Sequence, residues 1–323
     1  MPQEQFPSLY NAGMTSQPKK RGRAGRVLTD QRRTEQRNAA SKKLDRMTAM
    51  EIVRLMNRED RGVAAAVGRE IPAIARAVDA IVKAIHDGGR LFYVGAGSSG
   101  RMGVLDAAEC PPTFGTSPKL VQALIAGGRR AITRAVEGAE DSERNGERDL
   151  RARRLTQRDV VVGIAASGTT PYVVGALKYA RKRGATTVAV TSNLRMPVGR
   201  VAKIVIAPEV GPEVLTGSTR LKAGTSQKMV LNMLSTAAMT RLGHVYENLM
   251  IDMMLTNEKL ADRALRILAE ASGRSVSAAE HALRAGGHDM RVALVMLKRK
   301  IGVGDAKKRL RAARGDLRKA LGE

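Results

Sequence analysis

The chain has 323 residues, 43% of them hydrophobic, which allows a buried core and about two domains and excludes wholesale disorder. Aromatic residues make up 2% with no Trp, and there is one Cys among four scattered His. That excludes an aromatic stacking platform, a disulfide framework and a Cys-rich metal centre, and no His spacing offers a metal site. The formal charge of +25, from 56 Lys and Arg against 31 Asp and Glu, suits an anionic ligand, nucleic acid or an anionic surface. A general bias towards Arg gives the same number. No apolar run approaches the roughly 20 residues a membrane span needs, and no signal pattern opens the chain, so a cytoplasmic protein without membrane contact is expected.

Residues 1–33 are polar and basic, with Lys19, Lys20, Arg21, Arg32 and Arg33 and no apolar periodicity; the reading is a disordered tail. A nucleic-acid arm is the sharper alternative, but no groove-reading motif accompanies it. A helical pattern runs from Met47 to His86, with Thr48 as a cap and Ile74, Val78, Ile81, Val82 and Ile85 recurring at three and four. Short apolar runs then alternate with helical patterns: Leu91–Val94, Leu120–Ile125, Val160–Ile164, Thr187–Val190 and Ile204–Ile206. This alternation predicts a doubly wound α/β domain around a parallel five-stranded sheet with flanking helices. A long helix is predicted from about Thr219 to Leu242. Beyond Asn257 the segments Lys259–Ala271, Val276–Ala285, Met290–Leu297 and Asp305–Leu321, punctuated by Gly286, Gly287 and Gly302, predict a separate small helical domain. The division is therefore 1–33, 34–256 and 257–323.

Two predicted strand ends carry small, hydroxyl-rich loops: Gly95-Ala96-Gly97-Ser98-Ser99-Gly100-Arg101 and Ala165-Ala166-Ser167-Gly168-Thr169-Thr170-Pro171. In doubly wound sheets ligands bind outside the carboxyl ends of strands. Glycines admit a close ligand, hydroxyls donate, and the following helix N-terminus offers free N–H groups and partial positive charge. One such loop alone is as well read as an ordinary N-cap. Two at neighbouring strands point to a phosphate cradle built from Ser98, Ser99, Ser167, Gly168, Thr169 and Thr170. The first loop also fits G-x-G-x-x-G, but the second strand ends in Ala126-Gly127-Gly128 rather than an acid, and Pro111-Pro112 is expected to cut the following helix short. That argues against a dinucleotide. No G-K-[ST] closes either loop, so a nucleotide P-loop fails as well.

Two carboxylate runs follow the loops, Asp106-Ala107-Ala108-Glu109-Cys110-Pro111-Pro112 and Glu137-Gly138-Ala139-Glu140-Asp141. By spacing alone Glu109 reads as a solvated helix-end carboxylate or as a stiffly held acid. Carboxylates converging on a phosphosugar would suit acid–base work at carbon. Cys110 reads as an inert packed thiol, since nothing nearby lowers its pKa. His244 reads as helix-end packing. The segment Gly217-Ser218-Thr219-Arg220 either faces the site or caps the long helix through Ser218 or Thr219.

The run from Gly95 to Gly115, with its Ala-Glu109-Cys-Pro-Pro core, closely resembles the signature of N-acetylmuramic acid 6-phosphate etherases. So do Ala135–Asp141, Ile164–Val173, Gly211–Thr225 and the lead-in Thr34-Glu-Gln-Arg-Asn38. The likeness spans about residue 34 to the C-terminus and leaves out the basic tail. It implies a sugar isomerase (SIS) domain followed by a small ubiquitin-associated-like helical domain, usually in a homodimer, with no cofactor. The implied reaction cleaves the D-lactyl ether of a phosphorylated amino sugar, N-acetylmuramic acid 6-phosphate, to N-acetylglucosamine 6-phosphate and D-lactate.

By motif, Glu109 corresponds to the family's proton donor and Glu140 to the second acid, with Glu137 as the fallback; which of them takes the C2 proton stays open. One departure stands out: the family's second loop usually reads Ser-Gly-Arg-Thr-Pro, and here it reads Ser167-Gly168-Thr169-Thr170-Pro171. A short hydroxyl in place of a rigid guanidinium is not conservative. Two rival functions share the loops. One is a non-enzymatic sugar-phosphate sensor, which needs no paired acid and base. The other is an aldose–ketose isomerase, for which Glu213 is the available base.

Overall fold

The computed structural model describes residues 32–255 and 257–323; the predicted tail up to residue 31 lies outside them. Arg32 and Arg33, grouped with that tail by their charge, belong instead to the folded unit. Three single turns of tight helix, Arg33–Glu35, Ala39–Ser41 and Leu44–Arg46, lead in. Helix α1 (Ala49–Gly68) opens on a reciprocal cap, in which the Glu51 N–H donates to Thr48 Oγ1 and the Thr48 N–H to Glu51 Oε2. The pattern expected to be helical from Met47 to His86 breaks after Gly68. Pro72 cannot donate into a preceding turn, so a second helix, α2 (Ile71–His86), starts around it.

The rest of this layered unit runs β1 (Leu91–Gly95), α3 (Gly97–Phe114), β2 (Val121–Ile125), α4 (Arg130–Thr133), α5 (Glu143–Ala152), β3 (Val160–Ile164), α6 (Pro171–Lys182), β4 (Thr186–Val190), α7 (Pro197–Val201), β5 (Ile204–Ile206) and α8 (Lys222–Arg241). The five strands are parallel in the order β2-β1-β3-β4-β5, as the alternating runs predicted. Every residue of β1 and β3 is buried, because helices cover both faces. Val67, Ile74, Ile81, Val230 and Leu234 pack on one face, and Leu150, Tyr172, Val173 and Leu177 on the other. The chain leaves β1 in one direction to β2 and fills the sheet in the other from β3. The crevice of this switch point opens between the carboxyl ends of β1 and β3.

Helix α3 corrects the expectation drawn from its prolines. It continues through Pro111 and Pro112 to Phe114 and stops at Gly115, whose φ of 61° suits a left-handed cap. Cys110 and Phe114 are anchored in the core, and the Pro112 carbonyl accepts from the Met254 N–H, so packing holds the last turn despite two missing donors. Its middle is tied down as well: buried Asp106 accepts from Tyr93 of β1 and from Asn232 and Ser235 of α8.

The C-terminal helices are α9 (Glu258–Ser272), α10 (Val276–Ala285), α11 (Met290–Arg299), α12 (Val303–Ala312) and α13 (Leu317–Leu321). The expected single segment Asp305–Leu321 is two helices, broken where Arg314 and Gly315 take φ of 53° and 84°. Leu268, Leu294 and Leu317 form a separate core that also takes in Tyr246 and Ile251. No helix among the described residues is long and apolar enough to cross a membrane.

Candidate active site

The first loop turns out of β1 at Gly95, where a Cβ would stand 2.7 Å from the Gly100 nitrogen. Ala96 is extended and Gly97 takes a φ of 51°, so α3 begins at once. Its first turn holds Ser98 and Ser99 and leaves its leading N–H groups unpaired within the helix. Arg101 does not join the crevice. Its guanidinium donates to the carbonyls of Ile132 and Arg134 and braces the loop around α4.

The second loop leaves β3 and folds back sharply at Gly168 (φ 76°), where a Cβ would lie 2.5 Å from the Met196 side chain. Ser167 and Thr169 share a hydroxyl–hydroxyl bond of 3.0 Å, and the Thr169 N–H donates to Ser167 Oγ. Thr170 and Pro171 start α6. Asn193, just after β4, locks this loop to the lead-in segment. It donates to the Ala166 carbonyl (2.9 Å) and to Thr34 Oγ1 (3.1 Å), and accepts from the Arg33 N–H (2.7 Å).

The acidic run is tied to the start of α6. Tyr172 in the first turn of α6 donates its N–H to the Glu140 carbonyl at 3.0 Å. Ser142 then caps α5, which packs on α6 so closely that a Cβ on Gly146 would lie 2.0 Å from the Tyr172 oxygen, and one on Gly175 2.1 Å from the Glu143 oxygen.

These pieces enclose a cavity of about 350 Å³ lined by Ser98, Ser99, Glu140, Asp141, Ser167, Thr169 and Thr170, together with Arg32, Glu35 and Thr219. Its size suits a small ligand. Of the predicted site residues, only Gly168 and Glu109 stand apart from the lining. Gly168 shapes the loop from behind. Glu109 is exposed on α3, twelve residues beyond Gly97 and so about 18 Å along the helix axis. The fallback Glu137 lines a smaller neighbouring cavity of about 170 Å³ that Glu140 also borders.

Several other readings resolve here. Glu213 is fully buried, and its two oxygens accept the N–H groups of Lys222 and Ala223 at 3.0 and 2.9 Å. It caps α8, the role considered for Ser218 or Thr219, and is spoken for as an isomerase base. Burial pushes its carboxyl above the ordinary range, against the two backbone bonds. Cys110 is buried, donates to the Asp106 carbonyl, and burial pushes its thiol up to about 12. His244 pairs with Asp252 at 2.6 Å beyond the end of α8. No cluster of three or more metal-binding side chains occurs among the described residues. Arg32 and Glu35 are the lining residues missed from sequence; their position two residues before and within the Thr34–Asn38 signature is the signal that was there to use.

A family model described as the SIS domain matches residues 130–237, and one described as the glucokinase regulatory protein N-terminal SIS domain matches residues 73–181. The chain is 54% identical to an N-acetylmuramic acid 6-phosphate etherase of Geobacillus thermodenitrificans, covering 89% of this chain and 98% of that one. It is 52% identical to another of Clostridium beijerinckii, over 90% and 95%. The chain belongs to the N-acetylmuramic acid 6-phosphate etherase family. Among solved structures, a phosphoheptose isomerase from Neisseria gonorrhoeae aligns at 17% identity with a TM-score of 0.46, over 60% of this chain and 100% of that one. In this member of the etherase family the signature is split by α3, with Ser98 and Ser99 at one end and Glu109 near the other.

Proposed function

We propose that the protein cleaves the D-lactyl ether of N-acetylmuramic acid 6-phosphate, releasing D-lactate and N-acetylglucosamine 6-phosphate. The observation that carries this reading is the one cavity that Ser98, Ser99, Ser167, Thr169 and Thr170 line together with Glu140. Hydroxyls and two helix N-termini suit a phosphate ester, and a carboxylate in the same lining suits proton transfer at carbon. A sensor needs the first group without the second.

In the open-chain sugar the C1 aldehyde acidifies the C2 proton. A carboxylate removes that proton, the C3–O bond breaks as its oxygen takes a proton from an acid, and lactate leaves behind a C2–C3 double bond conjugated to the aldehyde. Water then adds at C3 and a proton returns to C2, so the sum is hydrolysis. General acid and base groups contribute about 10²–10⁴-fold each. Glu109 is the proposed proton donor and Glu140 the second carboxylate. Ser98, Ser99, Ser167, Gly168, Thr169 and Thr170 are proposed to hold the phosphate.

We further propose a homodimer in which Glu109 of one chain completes the cavity of the other. In its own chain Glu109 is about 15–16 Å along α3 from the serines. Around it Leu105, Ala108 and Pro112 form an exposed stripe at helical spacing, with Leu105 47% exposed. An apolar stripe of this kind suits burial against a second copy.

The test is D-lactate release from N-acetylmuramic acid 6-phosphate, with and without a metal chelator, beside Glu109→Gln and Glu140→Gln. The reading expects lactate from the wild type irrespective of chelator, and a loss of at least 100-fold in each variant. Binding of N-acetylglucosamine 6-phosphate without any lactate would make the protein a sensor.

A further inference from the structure

The lining of the cavity has an uneven charge. Glu35, Glu140 and Asp141 are three carboxylates, and among the described residues that line it Arg32 is the one formal cation. A phosphate monoester brings close to two further negative charges near neutral pH. Hydroxyls and helix N-termini offset part of this, but a cavity with that balance needs its guanidinium wherever the phosphate rests.

Arg32 stands at the phosphate loop. Its Nη1 donates to Thr169 Oγ1 at 3.4 Å, and Thr169 Oγ1 in turn meets Ser167 Oγ at 3.0 Å. The guanidinium is thus one hydroxyl away from the serine of the second loop. Thr169, turned towards Ser167, is neutral and brings no charge there itself. The guanidinium arriving from residue 32 brings that charge to the Thr169 hydroxyl from a different part of the chain.

Its placement is built into the fold. The next two residues are fixed by Asn193 through the Arg33 N–H and Thr34 Oγ1, and Arg33 adds an ion pair with Glu209 at 3.6 Å. Thr34 is buried, and Asn38 is held by Glu59 and the Pro212 carbonyl. A backbone fastened at Asn193 on one side and at Glu59 and Pro212 on the other keeps the Arg32 side chain at the cavity at low entropic cost.

We infer that Arg32 is a substrate-binding residue that holds the 6-phosphate, supplying from the lead-in segment the guanidinium that the second loop lacks. This rests on the phosphosugar reading above. Binding of N-acetylglucosamine 6-phosphate, which has the phosphate but no lactyl carboxylate, is measured calorimetrically for the wild type, Arg32→Leu, Arg32→Lys and the double variant Arg32→Leu with Thr169→Arg. KM and kcat for lactate release are measured alongside, and thermal melting checks the fold.

A charge-assisted, forked contact predicts a loss of about 10- to 100-fold in affinity and a matching rise in KM for Arg32→Leu, with kcat changing much less. Lys should recover only part of this. Thr169→Arg should restore most of the affinity in the Leu background. Unchanged binding of the monoester by Arg32→Leu overturns the inference. So does a rise in KM for the ether substrate alone, which would assign the guanidinium to the lactyl carboxylate. If the wild type releases no lactate yet binds the monoester, the etherase reading fails while the binding comparison still decides the role of Arg32.

Discussion

The Lys222 ammonium, with only 5% of its side chain exposed, meets the Glu59 carboxylate at 2.8 Å and so joins the start of α8 to α1. Asn38 donates to the same Glu59 oxygen at 2.7 Å, which hangs the lead-in segment on this pair. The Lys222 hydrogen bond, against partial burial, holds the Glu59 carboxyl below its ordinary value of 4.5. A depressed folded-state pKa means that the pair's stabilisation is complete above about pH 4.5 and is lost as pH falls through the lower folded value. Glu59→Gln should cost about 2–3 kcal/mol at pH 7, below the roughly 3–5 for breaking a fully buried pair because Glu59 is partly exposed. Denaturant titrations at pH 7 and pH 4 should show a smaller acid loss in the variant. An equal loss in both would remove Glu59 from the account.

Shared sites predict complementation. If Glu109 and Glu140 act from different chains, an equal mixture of Glu109→Gln and Glu140→Gln dimers, allowed to exchange subunits, should regain about one quarter of wild-type lactate release. Half the dimers would be mixed, each with one intact site. No recovery after verified exchange would put both carboxylates in one chain.

The close contact of α5 with α6 carries Glu140. Gly175→Ala drives a methyl against the Glu143 oxygen and should cost about 1–3 kcal/mol, with at least a tenfold fall in lactate release as Glu140 shifts. Gly62 is the counterpart, exposed in α1 with nothing within 4 Å of an added Cβ. Gly62→Ala should instead stabilise by about 0.5–1 kcal/mol. Melting and turnover of the two variants side by side separate helix propensity from contact.

Glu213 offers a fourth check. As the cap of α8, its replacement by Ala should destabilise by about 2 kcal/mol, and the fraction that remains folded should still release lactate. A folded, fully inactive Glu213→Gln variant would mean that this carboxylate takes part in the chemistry.

Much of the α/β unit was legible in the sequence because strands buried on both faces read as short unbroken apolar runs. Val160–Ile164 and Ile204–Ile206 keep their predicted bounds. The misreadings have local causes. Pro111 and Pro112 would end an isolated helix, whereas here Cys110 and Phe114 anchor that turn from both sides. Arg314 entering the left-handed region has no marker in an Arg-rich run. The loops announced the cavity through their glycines and hydroxyls, but Arg32 sat in a stretch of like charges that reads as solvated surface. Its role depends on Asn193, some 160 positions later, and no local pattern carries that.

The lead-in segment is made early, and its anchors come much later in the chain. Its anchors Asn193 and Pro212 are joined to it across 159 and 174 positions, and Glu59, which also holds it, meets Lys222 across 163. At translation rates of about 5–20 residues per second, Arg32 waits roughly 10–30 s for them to be synthesised. During that interval β1, β2 and β3 can pair through nearer contacts. A nascent chain therefore acquires the hydroxyl loops before it acquires the cation above them, and phosphate affinity should emerge late in biosynthesis, as a single step rather than a gradual gain.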